Sequence, residues 1–401
     1  MTTDRVGVTG TLVRVDGADW YRIDGLERME PFLMSVVSDS DLWMFVSSAG
    51  PLTAGRIDAD RAVLPYETDD RLHRAVDVSG PVTLVVRDVD GQRQLWQPFA
   101  RHVEPGCRRV LRKQVLGDAL VLEEEHAGWG LAFRSTWQPS RAYGWVRTSE
   151  LVDLRGVGGS YEVLDGLLDV MPAGVDAATE QLTSNLVDAY KRSETGRWGT
   201  VAIYTLETLI TDRAEPAESL SATVVWSTGF EGARLHLDER VIDSVRAGRP
   251  HPTSELLTGR RGAYLRHGRV DLGAAMSASW MLVVDTGLGQ AALLDTIRVA
   301  DDPESRKLVT EDARAGSERL AALLAGADGR QHTGDPIADA HHLSNVLFNC
   351  MRGGVFPHGY LIPVADLLDF LAVHNLEVSR RHGQTLAAQG PSVSLDVLHR
   401  L

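Results

Sequence analysis

The stretch from Ser38 to Asp70, SDSDLWMFVSSAGPLTAGRIDADRAVLPYETDD, gathers side chains of the types that sugar recognition needs. Trp43 offers an apolar plate for one face of a pyranose ring, Arg56 a charged donor, Tyr66 a ring with a hydroxyl, and Asp69 and Asp70 acceptors for hydroxyl groups. The same residues have a purely architectural use. Trp43 and Phe45 alternate with Leu42 and Met44, as sandwich-filling residues do, and Asp69 and Asp70 suit the start of a turn. The sequence leaves both uses open.

A second array lies near the C-terminus. His341, Asn345, Asn349 and Arg352 are spaced by four, four and three, which places an imidazole, two amides and a guanidinium on one helical face. Such a face binds sugar hydroxyls or docks a further domain. Glycosidic cleavage needs two carboxylates, and Asp212, Glu215 and Glu218 cluster beside Arg213, although Pro216 among them favours a solvated loop opening a short helix. Arg260, Arg261, Arg266 and Arg269 suit either bidentate phosphate binding or a charged hairpin. SNLVDAYKRSETGRWG is dense in directional polar groups and reads as a loop held by its own hydrogen bonds. Sugar anomerisation would need a histidine and a carboxylate in reach of each other, with His73 or His102 beside Asp69 as the pair.

No metal centre is expected, because His341 and His342 are adjacent and Cys350 has no neighbouring cysteine. Cys107 and Cys350 read as two reduced thiols. A glycine-rich dinucleotide fingerprint, a phosphate-binding GK[ST] loop and a G-x-S-x-G elbow are all missing from the sequence, so no cofactor is expected. The formal charge of −14 repels phosphate backbones and argues against nucleic acid as a partner. Hydrophobic residues at 43% and charged residues at 24% are globular values, and no apolar run reaches the roughly 18–20 residues that span a bilayer. A cytoplasmic protein that does not engage membranes is the expectation.

The elements that must position these residues are mostly strands. Up to about residue 300 the chain alternates short β-type runs with Gly, Pro, Asp and Ser. In LAFRSTW, Leu131, Phe133, Ser135 and Trp137 share one face while Ala132, Arg134 and Thr136 share the other. So many strands with no helical pattern between them predict antiparallel pairing in stacked sheets. From Asp302 the pattern becomes helical, with Pro303 near its start and Gly326 at its end. The expected fold is therefore mainly β with C-terminal α: a β-supersandwich over 1–300, a helical linker over 301–330 and a helical segment over 331–401.

Several segments carry a family resemblance: the 38–70 stretch, LLDVMPAGV, SNLVDAYKRSE, DRAEPAESL, RRGAYL and SNVLFNCMRGGVF. Together they resemble the N-terminal supersandwich and linker of large cellobiose phosphorylase-like proteins, over roughly residues 20–380. The resemblance implies a carbohydrate-active protein acting on oligosaccharides, with the catalytic carboxylates on an (α/α)6 barrel. Twelve helices of about 11–12 residues do not fit into the 71 residues from Gln331 to Leu401. The catalytic carboxylates are thus expected outside this chain, on a downstream helical-barrel domain or subunit. A glycan-binding module without turnover and a mutarotase-like epimerase are the other readings.

Overall fold

The structure is a computed structural model describing residues 7–196, 199–208, 210, 219–273, 276–351 and 361–401. By its internal contacts the chain divides into a unit of Met1–Gly316 and a unit of Ser317–Leu401.

Short turns set the strand pairing of the first unit. Asp16 and Gly17 both have positive φ, 48° and 80°, and close a two-residue hairpin between Thr9–Val15 and Ala18–Asp24. Asp90 and Gly91 do the same between Gly80–Val89 and Gln92–Trp96. An eleven-stranded antiparallel sheet results. From one edge it runs through Thr9–Val15, Ala18–Asp24, Cys107–Gln114, Leu120–His126, Leu131–Ser140, Gly144–Asp153 and Ser277–Leu288. It continues through Ala222–Thr228, Val201–Leu206 and Lys191–Thr195 to Leu256–Thr258. A five-stranded sheet orders Arg234–His236, Gly262–Leu272, Gly159–Val170, Gly80–Val89 and Gln92–Trp96.

The period of two is obeyed in the core. Leu131, Phe133, Ser135 and Trp137 are buried and Arg134 and Thr136 half-exposed, as the alternation in LAFRSTW predicts, but Ala132 on the second face is buried as well, so that face is only partly wet. Phe133, Leu131 and Leu151 of the large sheet meet Val85, Trp96, Tyr161 and Val163 of the smaller one. A third, three-stranded sheet of Leu33–Val36, Leu42–Ser47 and Leu52–Arg56 packs Met44, Val46, Leu52 and Ala54 against Leu120, Leu122, Trp137 and Trp145.

The first unit also holds helices that the reading of 1–300 as strands passed over. Ala177–Tyr190 starts at Asp176, whose carboxylate accepts from Thr179 N at 2.7 Å. It is kinked at Thr183 and buries only Val187, so it leaves almost no apolar period to detect. Gln290–Ala300 follows the last long strand, and its Ile297 packs with Val309, Val146, Trp226 and Met281. That pairing covers part of the large sheet. A helix spans Ser305–Gly326, so its C-terminal end falls at the glycine that marked the stop.

In the second unit Pro336–Met351 is helical, and strands Leu361–Pro363 and Ser392–Ser394 pair antiparallel around helices Val364–His374 and Leu376–Ala387. Ile362, Val364 and Val393 are its small core, joined by Leu367, Leu368 and Leu395. VADLLDFLAVHNLEVS reads as a single helical run, yet it breaks at Asn375 (φ −151°), whose side-chain oxygen accepts from Val378 N and opens the next helix. Both cysteines are free. No helix among the described residues is long and apolar enough to cross a membrane.

Candidate functional site

Strand Leu42–Ser47 sorts the opening motif onto two faces. Leu42, Met44 and Val46 point into the core; Trp43 and Phe45 lie on the other face, half-exposed. Trp43 stands edge-on to Tyr66, with ring centres 5.6 Å apart, and 6.1 Å from Phe45. Two features fix the indole. Its Nε1 donates to Asp58 O at 3.0 Å. Its ring lies across Gly55, where any Cβ would stand 2.6 Å from Trp43 Cζ2 and 2.3 Å from Arg61 O. Tyr66 is 39% exposed, so the aromatic row meets solvent at that end.

The end of the same strand is tied to a residue of a cleft. Ser47 is two residues beyond Phe45 on the same face, and its Oγ bonds His73 Nδ1 at 2.8 Å. Trp43 and Ser47 are four steps apart along the strand, about 13 Å at the usual rise. His73 and Asp70 line a cleft of about 440 Å³ together with Glu30, Arg74, Arg101 and Arg109. Asp69 and Asp70 begin the short helix Asp69–Leu72. The Thr68 hydroxyl donates to Asp70 at 2.6 Å and holds that exposed carboxyl below its ordinary range. Asp69 accepts from Asp70 N at 2.8 Å and is turned to that local task. His73 thus shares the cleft with Asp70.

Arg56 is held elsewhere. Its Nε and Nη2 donate to Asp285 at 2.6 and 3.0 Å, Nη1 donates to Asp41 at 2.7 Å, and Nη2 also reaches Arg141 O. Burial works against the charge, and the two carboxylates outweigh it, so its pKa stands above the ordinary value. The guanidinium ties the three-stranded sheet to strand Ser277–Leu288. Replacing it, Arg56→Ala, should lower the unfolding free energy by about 2 kcal/mol, because Asp285 then stays buried without its charged donor. Urea unfolding followed by circular dichroism measures this; an unchanged midpoint would show that the pair is ornamental.

The C-terminal array belongs to the second unit. His341 and Asn345 are exposed and Asn349 half-exposed on helix Pro336–Met351, opposite buried Leu347. Arg352 lies outside the described residues, as do Asp212, Arg213, Glu215, Glu218 and Trp198. The polar run around Asp188 is not a loop. It forms the end of helix Ala177–Tyr190 and the strand Lys191–Thr195. Lys191 is 1% exposed, with Nζ 2.8 Å from Asp188, 3.5 Å from Asp169 and 3.8 Å from Glu180. Arg261 joins this ion-pair knot at Asp169 and Asp188, and Arg266 is buried, donating to Gly199 O. The arginines of GRRGAYLRHGRV are thus divided between structural tasks rather than gathered on one hairpin.

Two arrays were not read from the sequence. On the outer face of the large sheet, Glu123 accepts from Arg112 at 3.0 Å and from Arg134, which also bonds Glu150 at 3.2 Å. Glu125 is two residues on, and burial, then the charge of Glu123 and a hydrogen bond to it, raise its pKa. The alternation in LVLEEEH was the available signal. The second is Arg109 with Glu124, which strand register places directly opposite each other although fifteen residues separate them. No group of three or more His, Cys, Asp or Glu suited to a metal ion occurs among the described residues.

No family model matches the sequence, and no curated protein matches it. Solved structures align at very low identity. A galactose mutarotase-like protein from Clostridium acetobutylicum is 8% identical with a TM-score of 0.32, over 70% of this chain and 98% of that one. A human-microbiome protein assigned as a kojibiose phosphorylase is 7% identical with a TM-score of 0.40, over 75% and 38%. A heparan sulfate lyase from Pedobacter heparinus is 8% identical with a TM-score of 0.29, over 71% and 36%. This chain therefore spans little more than a third of the phosphorylase and of the lyase. These alignments transfer no residue and no activity to it.

Proposed function

We propose that the chain is a carbohydrate-binding protein whose ligand, an oligosaccharide, lies along the outer face of strand Leu42–Ser47. One observation carries this reading: a half-exposed aromatic row of Trp43, Tyr66 and Phe45 stands on the strand whose last residue, Ser47, bonds His73, and His73 lines a polar cleft with Asp70. Sugar rings present axial C–H bonds to an aromatic plate and equatorial hydroxyls to fixed acceptors and donors, and this surface offers both in sequence. Trp43 is already locked by Asp58 and Gly55, so little side-chain freedom is lost on binding. In this reading the chain holds the sugar, and any bond cleavage in a phosphorylase- or hydrolase-like assembly belongs to carboxylates on another domain or subunit.

A second reading keeps the same surface and adds turnover. Ser47 engages His73 through Nδ1 and leaves Nε2 for a proton, while Asp70 lines the same cleft, which is the composition a mutarotase-like exchange of anomers needs. One experiment addresses both. The chain is titrated with β-linked gluco-oligosaccharides while NMR follows line broadening and the rate of anomer exchange. Broadening with unaltered exchange is the expected result. Accelerated exchange that His73→Ala abolishes would favour the epimerase, and no response to any saccharide in the panel would count against both.

A further inference from the structure

The cleft ends in a fixed guanidinium, and we infer that the saccharide bound there carries an anionic group, a carboxylate or a phosphate; this rests on the saccharide reading above. Arg109 is set in place before any ligand arrives. Its Nε donates to Glu124 at 2.6 Å, its Nη2 donates to Ala100 O at 2.7 Å, and its side chain is 8% exposed. Glu124 is held in turn by Trp96 Nε1 and by Phe99 N, each at 2.9 Å. Nη1 of Arg109 makes no hydrogen bond to a described residue, and the side chain lines the cleft.

The loop beside it is strained. Phe99 has φ 61°, a left-handed conformation that a bulky side chain rarely adopts, and the bond from its N–H to Glu124 holds it there. That conformation carries Ala100 and Arg101 to the cleft wall, where Arg101 donates to Arg74 O at 3.1 Å. Neither Arg74 nor Arg101 has an ion-pair partner within 4.0 Å among the described residues. Three guanidiniums thus meet at one cleft in a chain of net charge −14.

The field there is nevertheless balanced, since Glu124 neutralises Arg109 and the acids Glu30 and Asp70 also line the cleft. Recognition must therefore come from directed hydrogen bonds. Planar guanidiniums match two oxygens of a carboxylate or phosphate at once, whereas Glu30 and Asp70 accept from hydroxyls. A ligand with one anionic group on a hydroxyl-rich frame supplies the charge that Arg74 and Arg101 lack within 4.0 Å among the described residues, and a neutral sugar does not.

The test is calorimetric titration of the full chain with glucuronic acid, glucose 6-phosphate and glucose, then with cellobiose and its glucuronic acid-terminated counterpart. At least one acidic sugar should bind tenfold or more tighter than its neutral counterpart, the usual scale of a charge-assisted hydrogen bond. Whichever of carboxylate and phosphate is preferred names the group. Arg74→Ala and Arg101→Ala, both exposed positions whose variants should keep the wild-type circular dichroism spectrum, should each shrink that preference at least threefold. Equal affinity for acidic and neutral sugars would overturn this inference and leave the saccharide reading standing. Failure of every sugar, neutral and acidic, would overturn both.

Discussion

Replacing Asp165 with alanine should cost the fold about 3–5 kcal/mol, the loss expected when one partner of a buried ion pair disappears and the other charge stays behind. Asp165 is 2% exposed and sits on strand Gly159–Val170 of the smaller sheet. It accepts from Thr83 Oγ1 at 2.6 Å, Ser149 Oγ at 2.9 Å and Trp280 Nε1 at 2.6 Å, and Arg147 Nη1 stands 3.0 Å away. Arg147, Ser149 and Trp280 belong to the large sheet, so this carboxylate bonds the two layers together. Arg147 is 1% exposed and, without Asp165, keeps only Ser135, Gly166 O and Thr83 as acceptors. Urea unfolding of Asp165→Ala measures the loss. The double variant Asp165→Ala/Arg147→Met should recover part of it, because the orphaned charge is gone. A single variant within about 1 kcal/mol of wild type would contradict the account.

Acid should destabilise the protein through His236. The side chain is 2% exposed on strand Arg234–His236, and neither ring nitrogen has a hydrogen-bond partner among the described residues. Burial, followed by His267, His251, Arg234 and Arg266, lowers its pKa from 6.5 to about 4. His267 and His251 lie 5.9 and 5.8 Å away between ring centres. Between pH 6.5 and 4 the unfolded chain binds the proton and the folded chain refuses it, so stability falls as pH falls through this window. The full difference is about 3 kcal/mol, at 1.36 kcal/mol per unit. Glu162 stays ionised throughout, because His267, then Arg93, hold its pKa at about 2. Stability measured at pH 7, 5.5 and 4 should decline in wild type and decline less in His236→Leu. Parallel declines in the two proteins would place the acid sensitivity elsewhere.

Much of the architecture could be read from side-chain order. The alternation of Leu131 to Trp137, the Asp-Gly turns and the helix ending at Gly326 each follow from a local rule. Helix Ala177–Tyr190 escaped because it is kinked and buries one apolar residue, which leaves no period to count. The helix Gln290–Ala300 escaped because it is only about three turns long and buries a single residue, Ile297, which leaves little apolar period to count.

The candidate site divides along the same line. Trp43, Tyr66 and Asp70 belong to one continuous stretch, so their types and spacing could nominate them together. Arg56 looked equally suitable, but its fate depends on Asp285, 229 residues away, and no local rule reaches that far. Arg109 and Glu124 become partners only through strand register; Arg101 joins them through a turn whose strained residue, Phe99, carries no warning in its own side chain, and Arg74 through the turn that follows helix Asp69–Leu72.

The most direct measurement is calorimetric titration of wild type and Trp43→Ala with the saccharide that binds wild type tightest. Losing the indole plate should weaken binding about tenfold or more while the unfolding midpoint moves little, since Trp43 is half-exposed and lies outside the apolar core. Equal affinity in the two proteins would mean that the sugar lies elsewhere and that the aromatic row is only a lining.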